Sequence, residues 1–212
     1  MNKKQEILRF IQSHKALEPF DYKIVVDWAI DLIREGKETD NILMLAAFSG
    51  PIEKWEISPY VTAVLNDLGL EELECDDAII AQTHFLLLKI LKDVDLRKNL
   101  ITLSQVCINN DFDQRIMNFY LLCHAWDELE EIGANYYFKG ADLDNIEEVL
   151  KNEARKWIEK YINGKEEVET IQNEEKEKTL PTTMYKSNSW VSSKFKEKSN
   201  NKNSSWWKRL WS

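Results

Sequence analysis

Glycine and proline are scarce, at six and four of 212 residues. A β-sandwich or barrel turns every few residues and would use more of both, so the shortage argues for helices. The six glycines (36, 50, 69, 133, 140 and 164) stand singly. Neither GxGxxG nor GxxxxGK(S/T) can be written from them, so no phosphate-cradling loop is expected. GxSxG and HExxH are missing too. The three cysteines, Cys75, Cys107 and Cys123, form no CxxC pair and read as reduced, mostly buried thiols. No apolar run approaches the roughly 18 residues that cross a bilayer. The opening MNKKQEILRFIQSHK is periodic rather than continuously apolar, unlike a signal peptide. The expected compartment is the cytoplasm.

What is present is apolar material for a real core, 43% of the chain, together with 31% charged residues and a net charge of −9. A chain this acidic is not expected to bind nucleic acid as a whole. The charge is uneven. Residues 1–164 carry 18 Lys+Arg against 30 Asp+Glu, residues 165–178 carry 3 against 6, and residues 179–212 carry 7 against 1. The composition also shifts at Gly164, from helical apolar periodicity to charged residues and then Ser, Asn and Lys. The expected organisation is an acidic helical domain over 1–164, a disordered charged linker over 165–203, and a Trp-rich basic tip over 204–212.

The expected fold is all-α: a bundle or short stack of about eight antiparallel helices. The spacing predicts helices over Lys3 to His14, Asp21 to Glu35 with Tyr22, Val25, Ala29 and Leu32/Ile33 on one face and Gly36 as its stop, a short one capped by Asp40, and one opened by Ser58 as cap with Pro59 in its first position and stopped by Gly69. A nearly all-apolar helix from Ala78 to Lys92, capped by Asp76 or Asp77, is expected to be the central one. Asp95 and then Asp111 or Asp113 open the next two. The last places Ile146, Val149, Leu150, Trp157, Ile158 and Tyr161 on one face.

Chemistry is sparse. Cys123 and His124 are adjacent, so on a helix they point about 100° apart and do not share a ligand. No metal or cofactor is expected. NNDFD at 109–113 and the acids around Asp142 lack the central glycine and final glutamate of a calcium loop, and read as helix starts. The acidic segments Glu71, Glu72, Glu74, Asp76, Asp77 and Asp127, Glu128, Glu130, Glu131 stand out more. Together with the acidic body they suggest a face for a protein partner with a basic surface.

The tip, SSWWKRLWS, is the most unusual segment. As a helix at about 100° per residue it gathers Trp206, Trp207, Leu210 and Trp211 on one arc and Lys208 and Arg209 on the other. Upstream, Trp190 and Phe195 alternate with lysines. Tryptophan with cations suits an anionic membrane interface, here the inner face of the membrane, and such a short anchor binds reversibly. It also suits a groove on a second protein, or a fold back onto the acidic body.

The stretch Trp28-Ala29-x-x-Leu32-Ile33-x-x-Gly36-x-Glu38-Thr39 with Ile42-Leu43-x-Leu45-Ala46, then Val106-Cys107-Ile108, Trp126-Asp127-Glu128-Leu129 and Glu153-Ala154-x-x-Trp157-Ile158, resembles a loose group of uncharacterised bacterial all-helical acidic proteins over about residues 22–162. Some members resemble immunity proteins that neutralise secreted toxins. The resemblance implies no catalytic residue. The reading is therefore a non-enzymatic interaction module with an acidic docking body and a tethering tail. The alternative is a small hydrolase or transferase whose site combines dispersed carboxylates with His84 or His124.

Overall fold

The computed structural model describes residues 3–164. The linker expected over 165–203 and the tip over 204–212, with Trp190, Phe195, Trp206, Trp207, Lys208, Arg209, Leu210 and Trp211, lie outside the described residues. Within them the chain forms eight α-helices and no strand: α1 (Lys3–Gln12), α2 (Tyr22–Arg34), α3 (Asp40–Ala46), α4 (Lys54–Asp67), α5 (Cys75–Leu91), α6 (Leu96–Asn109), α7 (Met117–Ile132) and α8 (Ile146–Tyr161). No helix among the described residues is long and apolar enough to cross a membrane.

Two helix ends follow directly from the sequence. Gly36 and Gly69 adopt φ of +78° and +67°, where a Cβ would be strained. Each closes a helix with the same pair of bonds. Gly36 N donates to Ile33 O (2.9 Å) and Lys37 N to Leu32 O (3.0 Å), and Gly69 N donates to Asn66 O (3.0 Å) and Leu70 N to Leu65 O (2.9 Å).

Several helix starts differ from the sequence reading. Thr39, not Asp40, caps α3, its Oγ1 accepting from Ile42 N at 3.2 Å. Helix α4 begins at Lys54, so Ser58 and Pro59 lie inside it. The earlier start places Ile57 at i, i+4, i+7 and i+8 with Val61, Val64 and Leu65, and all four are fully buried. Helix α5 begins at Cys75 with Glu74 at its cap, and Asp76 and Asp77 become first-turn acids that favour the positive helix end. Helix α7 begins at Met117, and ahead of it Asp113 opens a turn: its Oδ1 accepts from Arg115 N at 2.8 Å and its carbonyl from Ile116 N at 3.1 Å.

The helices bury two cores. Helices α1 to α4 enclose Phe10, Ile11, Val25, Ala29, Ile42, Leu45, Val61 and Val64. Helices α5 to α8 enclose Leu87, Ile90, Leu103, Val106, Phe119, Leu122, Leu150 and Trp157. Each half lends a residue to the other: Leu17 joins the α5–α8 core, and Phe85 of α5 packs on the α1–α4 core. Phe85 stacks on Phe10 with ring centroids 4.2 Å apart, and Phe10 stacks on Phe20 at 4.4 Å. Helix α5 packs on α1, α6 and α8, which makes it the central helix.

The crossing segment 13–21 ties the halves together. Gln82 Nε2 donates to Pro19 O at 2.6 Å, Asn109 Nδ2 to Glu18 O at 3.1 Å, and Lys54 Nζ lies 2.7 Å from Glu18 Oε1.

Candidate functional site

Helix α7 buries Phe119, Leu122, Cys123, Ala125, Trp126 and Leu129, which leaves the opposite stripe outside. At about 100° per residue, Tyr120, His124, Asp127, Glu128 and Glu131 fall within roughly 100° of arc on that stripe. The rings form a ladder. Phe112 meets Tyr120 edge-on at 5.4 Å, Tyr120 meets His124 at 4.5 Å, and His124 meets Tyr137 at 5.2 Å. Glu128 Oε2 accepts from Tyr136 N at 3.0 Å and so holds the loop that carries Tyr136 and Tyr137 beside the helix. Phe112 and Tyr137 are both 45% exposed and Tyr136 is 86% exposed. Aromatic rings and carboxylates thus share one outward surface. Two other acids of this segment have structural partners: Asp127 pairs with Arg97, which also lies over the Trp126 ring, and Glu130 accepts from Trp126 Nε1 at 2.9 Å. Glu131 has no side-chain partner among the described residues.

The other acidic segment is divided in its roles. Asp76 pairs with Arg115 at 2.8 Å. Arg115 also grips both oxygens of Asp113 and holds that carboxyl below the usual carboxylate range. Glu71, Glu74 and Asp77 are exposed, without side-chain partners among the described residues. Arg115 precedes α7, whereas Asp127 to Glu131 close it, so the two acidic segments sit about 15–20 Å apart along the α7 axis at 1.5 Å per residue. They make two patches.

Glu72 faces inward. Its Oε1 accepts from Thr62 Oγ1 at 2.6 Å, lies 3.0 Å from Lys15 Nζ, and stands 3.2 Å from His14 Nε2. Burial would raise this carboxyl, but the three donors together bring it below its ordinary value. On the far side of the ring, His14 Nδ1 stands 3.3 Å from Ser58 Oγ. A neutral imidazole with its proton on Nε2 satisfies both contacts: it donates to Glu72 and accepts from Ser58. Burial lowers the His14 pKa despite the neighbouring carboxylate. The row Ser58–His14–Glu72 has the residue types of a hydrolytic triad, but its imidazole is fully buried and Ser58 is only 8% exposed. It fastens the end of α1 to α4 and to the α4–α5 connection.

No family model, curated protein or solved structure matches this chain.

The site must therefore be read from its own geometry. Neither His84 nor His124 hydrogen-bonds a carboxylate among the described residues. His84 is buried in α5, with its pKa lowered by that burial, and His124 belongs to the ring ladder. Cys75 is exposed, while burial pushes the Cys107 thiol up to about 11 and raises that of Cys123 as well. The acids near 142 turn the chain into α8: Asp142 Oδ1 accepts from Asp144 N at 3.0 Å and Asn145 N at 2.9 Å. No group of three or more metal-ligating side chains is assembled among the described residues.

One feature lies beyond the buried faces that the helical spacing picks out. A cavity of about 520 Å³ opens between α1, α2 and α5. Ile24, Trp28 and Leu32 of α2 face Ile7 and Leu8 of α1, with Phe85 behind them. The helical spacing picks out the face of α2 through Tyr22, Val25, Ala29 and Leu32/Ile33. Ile24 and Trp28 form a second ridge one residue back, and this extra width of apolar surface was the available signal.

Proposed function

We propose that this protein is a non-enzymatic helical interaction module whose acidic body binds a protein partner with a basic surface. The observation that carries this reading is the α7 surface. There a ladder of rings, half-buried at Tyr120 and His124 and exposed at Phe112 and Tyr137, runs beside carboxylates on the same stripe. Rings and carboxylates together suit arginine, which stacks on aromatic faces and pairs with acids. Aromatic side chains at the centre of a docking surface supply affinity, and a charged surround speeds encounter and rejects wrong partners. Neutralisation of a basic toxin by such a surface is one form of this reading, and the resemblance to immunity proteins points the same way.

Site-specific photocrosslinking in the native cell tests it. A photoreactive residue at position 131 should give one discrete adduct, with a partner of net positive charge. The adduct should fade at least tenfold when Tyr137→Ala and Glu128→Lys are added. The reading fails if position 131 gives no adduct, or if the adduct is insensitive to both changes.

The tail completes the proposal. Its Trp- and Lys-bearing segment tethers the body to an anionic membrane surface. The full chain should float with anionic liposomes, less so at high salt, and a chain ending at Lys178 should not. Failure of both to float removes the membrane and leaves a second protein as the tail's target.

A further inference from the structure

The cavity between α1, α2 and α5 has a polarity. Lys4 Nζ lies 2.5 Å from Glu35 Oε1, so the start of α1 meets the end of α2. Leu73 N donates to Gln12 O at 2.8 Å, so the end of α1 meets the start of α5. Helix α1 therefore runs opposite to both α2 and α5. Three charged wall residues, Asp27, Asp31 and Glu35, recur every four positions along α2, in register with the apolar ridge Ile24–Trp28–Leu32. Glu35 is neutralised by Lys4, and Asp31 shares its charge with Arg34 at 2.8 Å. Asp27 has no ion pair among the described residues. At the other end of the groove stand Lys37, just past α2, and Lys89 of α5, whose ammonium lies over the Phe85 ring. The uncompensated charge is thus acidic at the Asp27 end and basic at the Lys37 and Lys89 end, where Lys4 and Glu35 cancel, above an apolar floor.

From Ile24 to Glu35 the wall is about 16 Å long at 1.5 Å per residue, which matches about three turns of a helix. An apolar floor of this length, with ridges at helical spacing, is the geometry that receives an amphipathic helix. The charges choose its character. Cationic side chains on its flank meet Asp27 and Asp31. Its positive N-terminal end prefers the acidic end of the groove, and its carbonyl end prefers Lys37 and Lys89. An anionic amphiphile would meet only the lysines at the basic end and would leave Asp27 and Asp31 unanswered.

We infer that this groove is a second docking site, distinct from the α7 surface. Its occupant is an amphipathic helix of a partner protein, apolar on one face and basic on its flank, lying parallel to α2.

The test uses the full chain and two fluorescein-labelled 18-residue helical peptides with the same leucine pattern, one with lysine and one with glutamate at the polar positions. Fluorescence anisotropy is followed at near-physiological salt. The Leu/Lys peptide should bind at least tenfold more tightly than the Leu/Glu peptide. Trp28→Ala, and separately the exposed pair Asp27→Lys with Asp31→Lys, should each weaken the Leu/Lys peptide at least tenfold. Glu128→Lys with Glu131→Lys, on α7, should leave its binding within twofold. Circular dichroism melting of each variant shows that the fold is intact, and the exposed pair keeps the test valid if Trp28→Ala melts early. Equal binding of both peptides, or indifference to the groove variants, overturns the inference. So does a sedimentation dimer dissolved by Asp27→Lys with Asp31→Lys, since the occupant would then be a second copy. Loss of Leu/Lys binding only in the α7 variant would place all basic recognition there, overturning the groove while leaving the proposed function standing.

Discussion

Replacing Phe10 with alanine should cost about 3–5 kcal/mol, the range for removing a fully packed phenylalanine. Phe10 is 2% exposed and sits between the Phe20 and Phe85 rings, so the loss combines burial, a cavity and two stacking contacts. A domain's whole stability is only about 5–15 kcal/mol, and each kcal/mol moves Tm by about 2–4 °C at this chain length. Tm should therefore fall by about 6–20 °C. The loss should also reach both halves, because Phe85 belongs to the central helix. Hydrogen exchange measured by mass spectrometry should show faster exchange in α3 and in α6 alike. A shift below about 3 °C, or acceleration confined to α1–α4, would show that the stacked rings do not couple the cores.

The second large effect is expected at His14. His14→Ala removes a fully buried ring, leaves Ser58 Oγ without a partner and takes one of the three donors from Glu72 Oε1, which keeps Thr62 and Lys15. Unsatisfied buried groups cost about 1–3 kcal/mol each, and the cavity adds to that, so a loss of about 3 kcal/mol is expected. His14→Gln keeps a polar group at the site and should recover part of it.

The same residue makes stability depend on pH. Burial lowers the folded-state pKa of both His14 and His84 below the ordinary 6.5. The unfolded chain then binds more protons than the folded one in the window beneath 6.5, so stability is full above that value and falls as pH drops through it. Glu72, also lowered, adds a second loss below its ordinary 4.5. Urea midpoints at pH 7.5, 6.0 and 5.0 should decline in that order. The His14→Gln protein should decline less steeply, keeping only the share due to His84. A midpoint that rises on acidification would overturn this account of the buried row.

The legibility of this chain divides along a physical line. Features set by neighbours in sequence were readable: the glycine stops at Gly36 and Gly69, the apolar seam of α8, and the almost wholly apolar α5. Features set by distant partners were not. Ser58 has ideal capping chemistry, but a tertiary contact claims its side chain for His14. His14 looked solitary because its partners stand 44 and 58 positions away. Glu72 counted as one surface acid among five, yet its donors Thr62, Lys15 and His14 draw it inward. The acids of α7 were visible as a cluster. The rings that join them were not, since Phe112, Tyr120, His124 and Tyr137 meet only when the turns on either side of α7 fold against it.

The exchange of Leu17 and Phe85 between the two cores also governs how the chain leaves the ribosome. Synthesis delivers α1 to α4 first, yet their core lacks its Phe85 ring until α5 has been made. Leu17, among the earliest residues to appear, waits for a core whose last side chain is Trp157. At about 5–20 residues per second, the stretch between Phe85 and Trp157 takes on the order of ten seconds to translate. Through that interval the core that covers Leu17 is incomplete, holding only its α5 and earlier members. The nascent N-terminal half is the segment that a ribosome-associated chaperone would have to shield, and a pause in translation before α5 would leave it the most exposed to aggregation.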